Sequence, residues 1–169
     1  EIMTLAQRDS LTGLFNRREF NTRLAALFAD GRSGCGPFAV LYFHLDHFKD
    51  VNDTLGHPTG DRLLKQVAER VQSVLRQSDV VARFGGDEFA IILTNADAAM
   101  AMTLATRIND ILARSFTIDG NHVHITASIG IALCTADTAT PETLVMHADV
   151  ALYRAKEDGR NCSRFHSAD

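Results

Sequence analysis

The chain has 169 residues, of which 46% are hydrophobic, and this is enough apolar material for one domain with its own core. Its formal net charge of −4 excludes the strong basic field that nucleic-acid binders and anionic-membrane binders use. No apolar run approaches the roughly 20 residues of a membrane span, and no secretory signal opens the chain. Three cysteines without metal-ligand spacing indicate reduced thiols, so we expect a cytoplasmic domain. We expect no direct membrane contact by this domain, and a membrane anchor elsewhere in the full-length protein is left open.

Residues 1–8 are expected to be a linker or the end of an upstream signalling helix, and residues 9–169 the domain itself. Because the first residue is Glu1, we expect the chain to be a fragment of a longer protein. Turn formers and leucines alternate in residues 9–14, which indicates a loop. An amphipathic helix is then predicted by apolar residues at helical spacing, namely Phe20, Leu24, Leu27 and Phe28.

A nearly continuous apolar run from Phe38 to Leu45 predicts a strand that is buried on both faces. It leads directly into a polar cluster that extends from His44 to Asp53. Charged and amide groups placed just past the end of a buried strand are poorly explained by packing. We therefore expect this cluster to take part in a binding or catalytic site.

A loop from Gly56 to Asp61 precedes a second amphipathic helix, whose apolar stripe is Leu64, Val67, Ala68, Val71, Val74 and Leu75. Asp61 is either a favourable acid at the start of this helix or a ligand-binding carboxylate. Arg76 and Asp79 follow the helix, and a basic residue near a helix end followed by an acid is most often structural.

Two apolar, β-branched runs flank Gly85 and Gly86, and a Gly-Gly pair between such runs predicts a tight hairpin. The turn places Asp87 and Glu88 at the start of the second strand. Two adjacent carboxylates beside bare glycine backbone suit a divalent cation and a closely approaching phosphate. The alternative is an ordinary hairpin tip with solvated acids.

A further amphipathic helix is predicted around residues 101–112, and the alternation from His122 to Leu133 predicts a strand. His122 and His124 share one face of that strand, where we expect them to be exposed rather than metal-bound. From residue 38 onward the elements read βαββαβ. This order predicts an α+β, ferredoxin-like fold with an antiparallel central sheet, both core helices on one face, and additional N- and C-terminal helices.

The last helix is predicted from Pro141 to Lys156, followed by a glycine-containing basic segment and a short strand over residues 162–165. The basic residues at its end include Lys156 and Arg160. On dipole grounds alone they are favourable at the C-terminus of a helix that a glycine caps.

Five segments in this order resemble the motifs of the GGDEF family of diguanylate cyclases, and together they cover roughly Asp9 to Phe165. Residues 85–89 match the family signature Gly-Gly-Asp-Glu-Phe. The other four matching segments are residues 9–18, 44–53, 76–79 and 148–161. One departure is present: His44 stands where the family has its first Asp. The resemblance implies a sheet similar to those of nucleotidyl cyclases and polymerase palms.

The resemblance also implies a role for each matching residue. A divalent cation, Mg²⁺ or Mn²⁺, would be held by Asp87, Glu88, the Leu45 carbonyl and the position of His44. Catalysis would fall to Asp87, Lys49 and Glu88, the last as a plausible base near the 3′-hydroxyl. GTP would be bound by Phe48, Asn52, Asp61, Gly85, Gly86, Lys156 and Arg160. Arg76 and Asp79 would form the inhibitory site for the product, cyclic di-GMP.

The implied reaction condenses two GTP into cyclic di-GMP with loss of two pyrophosphates. One domain holds one GTP, so turnover requires a homodimer, imposed by an upstream sensor. Mg²⁺ prefers oxygen ligands, whereas imidazole suits softer metals, so His44 predicts a slow cyclase. The alternative is a binding module that senses GTP or cyclic di-GMP for a neighbouring phosphodiesterase domain. An adenine-specific cyclase is disfavoured by Asn52 and Asp61, since a carboxylate accepts from guanine donors that adenine lacks.

Overall fold

The computed structural model describes residues 7–31, 37–135, 138 and 140–166, so residues 1–6 of the predicted upstream segment lie outside the described part. In chain order the elements are α1 (Arg17–Gly31), β1 (Ala39–Asp46), α2 (Phe48–Leu55), α3 (His57–Ser73), β2 (Val80–Gly85), β3 (Glu88–Leu93), α4 (Ala98–Ala113), β4 (Phe116–Ile118), β5 (Asn121–Val123), β6 (Thr126–Leu133), α5 (Pro141–Glu157) and β7 (Ser163–Phe165). None of the helices within these described ranges is long and apolar enough to cross a bilayer.

The main sheet has five strands in the order β2-β3-β1-β6-β7, with β1 at its centre. β1 pairs antiparallel with β3 on one side and with β6 on the other. The predicted antiparallel core is thus confirmed, and the central position of β1 explains its apolar sequence. β7 adds a parallel pair with β6 at the edge, because the chain returns to that edge through helix α5.

Helices cover both faces of this sheet, as expected for an α+β fold. One face packs against α3 and α4 through a cluster that includes Leu41, Phe43, Leu64 and Ile108. The other face packs against α1 and α5 through a cluster that includes Tyr42 and Leu152. The prediction that both core helices share one face, with the terminal helices elsewhere, is confirmed.

Two boundaries differ from the sequence prediction. The loop predicted from Gly56 to Asp61 is wrong, because α2 ends at Leu55 and α3 already begins at His57. The two helices are separated only by Gly56, whose φ of +92° favours glycine. The strand predicted from His122 to Leu133 is wrong as a single element, because β5 ends at Val123 and β6 begins at Thr126. β5 instead forms a hairpin with β4, closed by a turn at residues 119–120 with positive φ. His122 and His124 are exposed, as expected.

Candidate functional site

The acidic turn, residues 85–88, connects β2 to β3 as the Gly-Gly pair predicts. Gly85 and Gly86 have φ values of +133° and +52°. Residues with a side chain rarely adopt such backbone angles, which explains why both positions are glycine. Arg83 donates from Nε to the Gly86 carbonyl at 3.0 Å and pairs with Asp9 at 3.1 Å. The turn is therefore held from the strand and from the N-terminal segment.

The acidic turn lies against the end of β1, where the sequence places His44. The imidazole Nε2 of His44 lies 2.9 Å from Asp87 Oδ2, and the Leu45 amide donates to the Asp87 carbonyl at 3.1 Å. Glu88 is the direct cross-strand neighbour of His44. Residues 42 to 44 positions apart in the chain thus meet at one end of the sheet.

His44 is surrounded by negative charge. Its Nδ1 is buried, lies 3.8 Å from Asp46 Oδ1 and has no hydrogen-bond partner among the described residues. The Asp46 carboxylate, and then that of Asp87, raise the pKa of His44 to about 9, although burial of the ring opposes this shift. The ring therefore carries a positive charge at neutral pH.

Glu88 also has a donor on β1. The hydroxyl of Tyr42 donates to Glu88 Oε1 at 3.1 Å, and burial together with this carboxylate raises the pKa of Tyr42. Tyr42 and His44 are two positions apart on one strand, so both project from the same face. Each acid of the turn thus contacts a polar side chain of β1. The sequence analysis missed Tyr42, because an apolar run with one tyrosine gives no signal for its partner.

The described side chains do not complete a site for a hard divalent cation. No group of three His, Cys, Asp or Glu residues in the described part of the chain is arranged to hold one metal ion. Asp87 and Glu88 are suitable oxygen donors, but a positively charged imidazole occupies the position from which a third carboxylate would act. We therefore assign no chemical step to a metal in this chain.

Asp46 is a functional candidate that the sequence analysis left without a role. It is fully buried and accepts hydrogen bonds from Thr126 Oγ1 at 2.6 Å, Ser128 Oγ at 2.7 Å and the Asn161 amide at 3.1 Å. Burial raises the pKa of Asp46, but the His44 ring and these donors outweigh it and lower the pKa to about 2. Its position, two residues after His44 on the same strand face, was the available signal.

Basic residues approach this end of the sheet from two helices. Lys49 is exposed in the first turn of α2, which begins two residues after β1 ends. Lys156 lies in the last turn of α5, close enough to lower the pKa of His44 by charge repulsion. Arg160 follows α5, and its Nε lies 3.8 Å from Asp46 Oδ1. Anionic groups of a ligand would meet these cations here.

The predicted base-binding residues lie where α2 meets α3. The Oδ1 atom of Asn52 is buried and accepts no hydrogen bond from the described residues. A Cβ at position 60 would overlap this atom, so Gly60 allows the Asn52 amide to approach α3. Phe48 is buried beside the same glycine, whereas Asp61 is exposed on the next residue of α3. This unpaired oxygen is available to accept a hydrogen bond from a ligand.

Arg76 and Asp79 pair with each other between α3 and β2, at the far end of β2 from the acidic turn. Arg76 Nη2 donates to Asp79 Oδ1 at 2.9 Å and also to the Thr94 carbonyl. The Asp79 side chain is 2% exposed and accepts from the Thr94 amide at 3.3 Å. β2 has six residues, which separates the two sites by roughly 20 Å. This pair thus has at least the structural role of fastening a helix end to β3.

The chain is similar to a known protein family and to several characterised proteins. The family described as "Diguanylate cyclase, GGDEF domain" matches residues 6–162. The chain is 42% identical over 163 residues to the cyclic di-GMP phosphodiesterase NbdA of Pseudomonas aeruginosa, covering 96% of this chain and 21% of that protein. It is 41% identical over 161 residues to the diguanylate cyclase TpbB of the same organism, covering 94% and 37%. It thus spans well under half the length of these relatives.

Solved structures agree with this assignment. The GGDEF domain of DgcB from Caulobacter crescentus, in complex with c-di-GMP, superposes with a TM-score of 0.91 at 31% identity, covering 96% of this chain and 94% of that one. The GGDEF domain of TpbB from Pseudomonas aeruginosa gives a TM-score of 0.91 at 40% identity, covering 95% and 94%. Cyclases of this family generally use divalent metal ions. Sequence, fold and the arrangement of the acidic turn thus lead to one conclusion, that this chain belongs to the diguanylate cyclase GGDEF-domain family.

Proposed function

We propose that this domain is a slow diguanylate cyclase that binds one GTP and, in a homodimer, condenses two GTP into cyclic di-GMP and two pyrophosphates. The observation that carries this proposal is the meeting of the acidic turn with the end of β1, which basic residues at the end of α5 also approach. The 3′-hydroxyl of one nucleotide must attack the α-phosphorus of the other, so two such half-sites must face each other. The proposed location is the cytoplasm, where GTP is available. An upstream sensor domain is proposed to control formation of the homodimer.

Guanine recognition is assigned to the junction of α2 and α3. The unpaired Asn52 Oδ1 and the exposed Asp61 carboxylate can accept hydrogen bonds from the N1–H and 2-amino groups of guanine. Adenine offers neither donor at those positions, so it would leave the buried oxygen unpaired, at a cost of about 1–3 kcal/mol. Phe48, buried beside the same junction, would support the base.

Triphosphate binding is assigned to the cationic side chains and to the glycine backbone. Lys49, Lys156 and Arg160 would offset the charge of the phosphates, while Gly85 and Gly86 allow the backbone to lie close to them. Glu88 would accept the proton of the attacking 3′-hydroxyl, and Asp87 would hold the turn against β1.

The expected low rate follows from His44. Cyclases of this family generally use a divalent cation, which would offset the charge of the phosphates, and the first carboxylate that would hold it is here an imidazole. Loss of one preorganised electrostatic contact typically lowers the rate about 10²- to 10³-fold. Nucleotide binding is affected less, because the contacts to the base and phosphates remain.

A second function is favoured by the pairing of His44 with Asp87. If this pair persists when nucleotide binds, the domain would bind GTP without converting it and report its occupancy to a neighbouring domain. The relative NbdA is named a cyclic di-GMP phosphodiesterase, and MucR of Pseudomonas aeruginosa is named a bifunctional cyclase and phosphodiesterase. A phosphodiesterase domain is therefore the proposed partner in this second case.

Arg76 and Asp79 are proposed to bind cyclic di-GMP as an inhibitory product. Support comes from the exposed Arg76 guanidinium, which can bind phosphate, at the offset from the turn that the family uses. Calorimetric titration with cyclic di-GMP tests this assignment. Binding by the wild-type domain that Arg76→Ala removes is expected; equal binding by both proteins would leave this pair only its structural role.

Incubation of the purified domain with GTP and either Mg²⁺ or Mn²⁺, followed by chromatography of the nucleotides, tests the main proposal. Slow formation of cyclic di-GMP is expected, with better turnover in Mn²⁺, which tolerates imidazole more readily than Mg²⁺ does. Glu88→Gln should abolish the product, whereas Glu69→Gln, an exposed change on α3, should not alter it. GTP binding with no product at high protein concentration would support the regulatory function instead.

A further inference from the structure

We infer that Asp46 is a positioning residue that holds Arg160 for the nucleotide phosphates; this inference rests on the proposed function. Asp46 is fully buried at the end of β1, and its carboxylate accepts from two hydroxyls of β6, those of Thr126 and Ser128. On its own strand the carboxylate lies 3.8 Å from His44 Nδ1. Two further contacts reach the segment after α5, through the Asn161 amide at 3.1 Å and Arg160 Nε at 3.8 Å. One carboxylate thus joins β1, β6 and the phosphate-binding segment.

The backbone of this segment needs such support. Gly159, Arg160 and Asn161 have φ values of +111°, +65° and +47°. Glycine and asparagine tolerate positive φ, whereas arginine rarely adopts it, so the backbone at Arg160 is strained. The Arg160 amide donates back to the Ala155 carbonyl at 3.0 Å, so the chain reverses tightly over the end of α5. The bond from the Asn161 amide to Asp46 fixes the exit of this reversal.

The hydrogen bonds of the Asp46 carboxylate leave one of its edges close to Arg160. Its two oxygens are satisfied on the β6 side by short hydrogen bonds, so the Arg160 guanidinium is attracted to one edge of the carboxylate. Arg160 is about half exposed, which leaves its terminal nitrogens available to a phosphate. Asp46 therefore acts on the ligand through Arg160 and touches no part of the nucleotide itself.

A double-mutant cycle tests this role with a GTP analogue that carries a methylene group between the α- and β-phosphorus atoms and cannot be condensed. Asp46→Asn keeps the size and one accepting oxygen but removes the charge. The affinity for the analogue is expected to fall roughly tenfold, which is the effect of losing one charge-assisted contact. The affinity for GMP is expected to stay nearly unchanged. When Arg160→Ala is already present, adding Asp46→Asn is expected to lower the affinity for the analogue only slightly further.

The control is Asp158→Asn, which makes the same change to a carboxylate on the segment that carries Arg160. Asp158 is exposed and pairs with Arg164 rather than with Arg160, so unchanged affinity is expected. An equal loss of GMP and analogue binding, or a full tenfold loss that persists without Arg160, would overturn the inference.

A measurement without nucleotide separates this inference from the proposed function. In NMR spectra of the free domain, the Nε–H resonance of Arg160 should shift in the Asp46→Asn variant and should not shift in the Asp158→Asn variant. An unmoved resonance would overturn the positioning role even if GTP binds. Failure of the wild-type domain to bind GTP, with the shift present, would contradict the proposed function and leave the link between Asp46 and Arg160 intact.

Discussion

At the scale of single residues, the end of β1 concentrates the chemistry of this domain. Tyr42, His44 and Asp46 project from one face of the strand and contact Glu88, Asp87 and Arg160 respectively. The strand therefore does more than form the sheet centre, since it provides a partner to three charged groups of the candidate site. The motif pattern predicted that His44 and the acidic turn meet. It could not predict the partners of Tyr42 or Asp46, because these depend on side chains brought in from β3, β6 and the segment after α5.

The lowered pKa of Asp46 leads to a prediction about the folding stability of the domain at acidic pH. Its pKa is about 2 in the folded protein, below the ordinary value of 3.8, so its ionised form stabilises the fold. This contribution of about 2 kcal/mol is present above pH 4 and is lost as the pH falls towards 2. Asp46→Asn removes the titration, so the difference in unfolding free energy between wild type and variant should shrink over this pH range. Urea denaturation measures it, and a difference that stays constant from pH 5 to pH 2 would contradict the assignment.

At the scale of elements, the junction of α2 and α3 controls the position of Asn52. The sequence predicted the helix that bears Asp61, and it predicted the polar cluster after β1. It did not predict that the chain between them forms two helices, because the helical spacing of apolar residues carries no information on the angle at Gly56. The contact between Asn52 and Gly60 follows from that angle.

Gly60→Ala tests this junction. The new Cβ would overlap Asn52 Oδ1, the end of a mobile side chain, so the amide should shift while the helices stay packed. Alanine in a helix is favoured over glycine by about 1 kcal/mol, so thermal stability should not fall. GTP affinity measured by calorimetry should fall roughly tenfold, as for the loss of a buried hydrogen bond. Lys65→Ala, an exposed change on α3, is the control. Unchanged GTP affinity in Gly60→Ala would remove Asn52 from the base site.

The contact between β6 and α5 sets where the basic end of α5 lies. Gly130 faces the backbone of α5, and a Cβ there would overlap the carbonyl of Ala148 and the amide of Leu152. Gly130→Ala should therefore destabilise the domain by about 3 kcal/mol, because backbone cannot move aside as a side chain can. Gly120→Ala, in an open turn with φ of +83°, should cost only about 1 kcal/mol. Urea denaturation measures the unfolding free energy of both variants, and an equal loss in Gly130→Ala and Gly120→Ala would contradict this packing.

At the scale of the whole molecule, the sheet brings together segments that are far apart in sequence. The predicted βαββαβ order gave the strand neighbours, and therefore the meeting of β1 with the acidic turn. The short strand predicted over residues 162–165 is confirmed as β7, but its parallel pairing with β6 was not predicted. The β4–β5 hairpin was not predicted either, because short strands carry too few alternating residues to be distinguished from loops. The edge strand matters for the site, since the chain passes through residues 159–161 on its way from α5 to β7.

The requirement for two half-sites gives a prediction for the whole assembly. If turnover occurs only in a transient homodimer, the rate of cyclic di-GMP formation per domain should rise in proportion to protein concentration at low concentration. The rate is measured by chromatography over a dilution series at saturating GTP. A rate per domain that stays constant on dilution, with the protein monomeric by light scattering, would contradict the paired mechanism.

The most direct measurement of the central claim compares His44→Asp with the wild-type domain. The claim is that the acidic turn and β1 form a GTP half-site that His44 slows. The variant restores the carboxylate that the family has at this position, so the initial rate of cyclic di-GMP formation with Mg²⁺ should rise about 10²- to 10³-fold. GTP affinity should change little, because the base and phosphate contacts are untouched. Equal rates in the two proteins would contradict the account, since they would show that residue 44 does not act on the reaction.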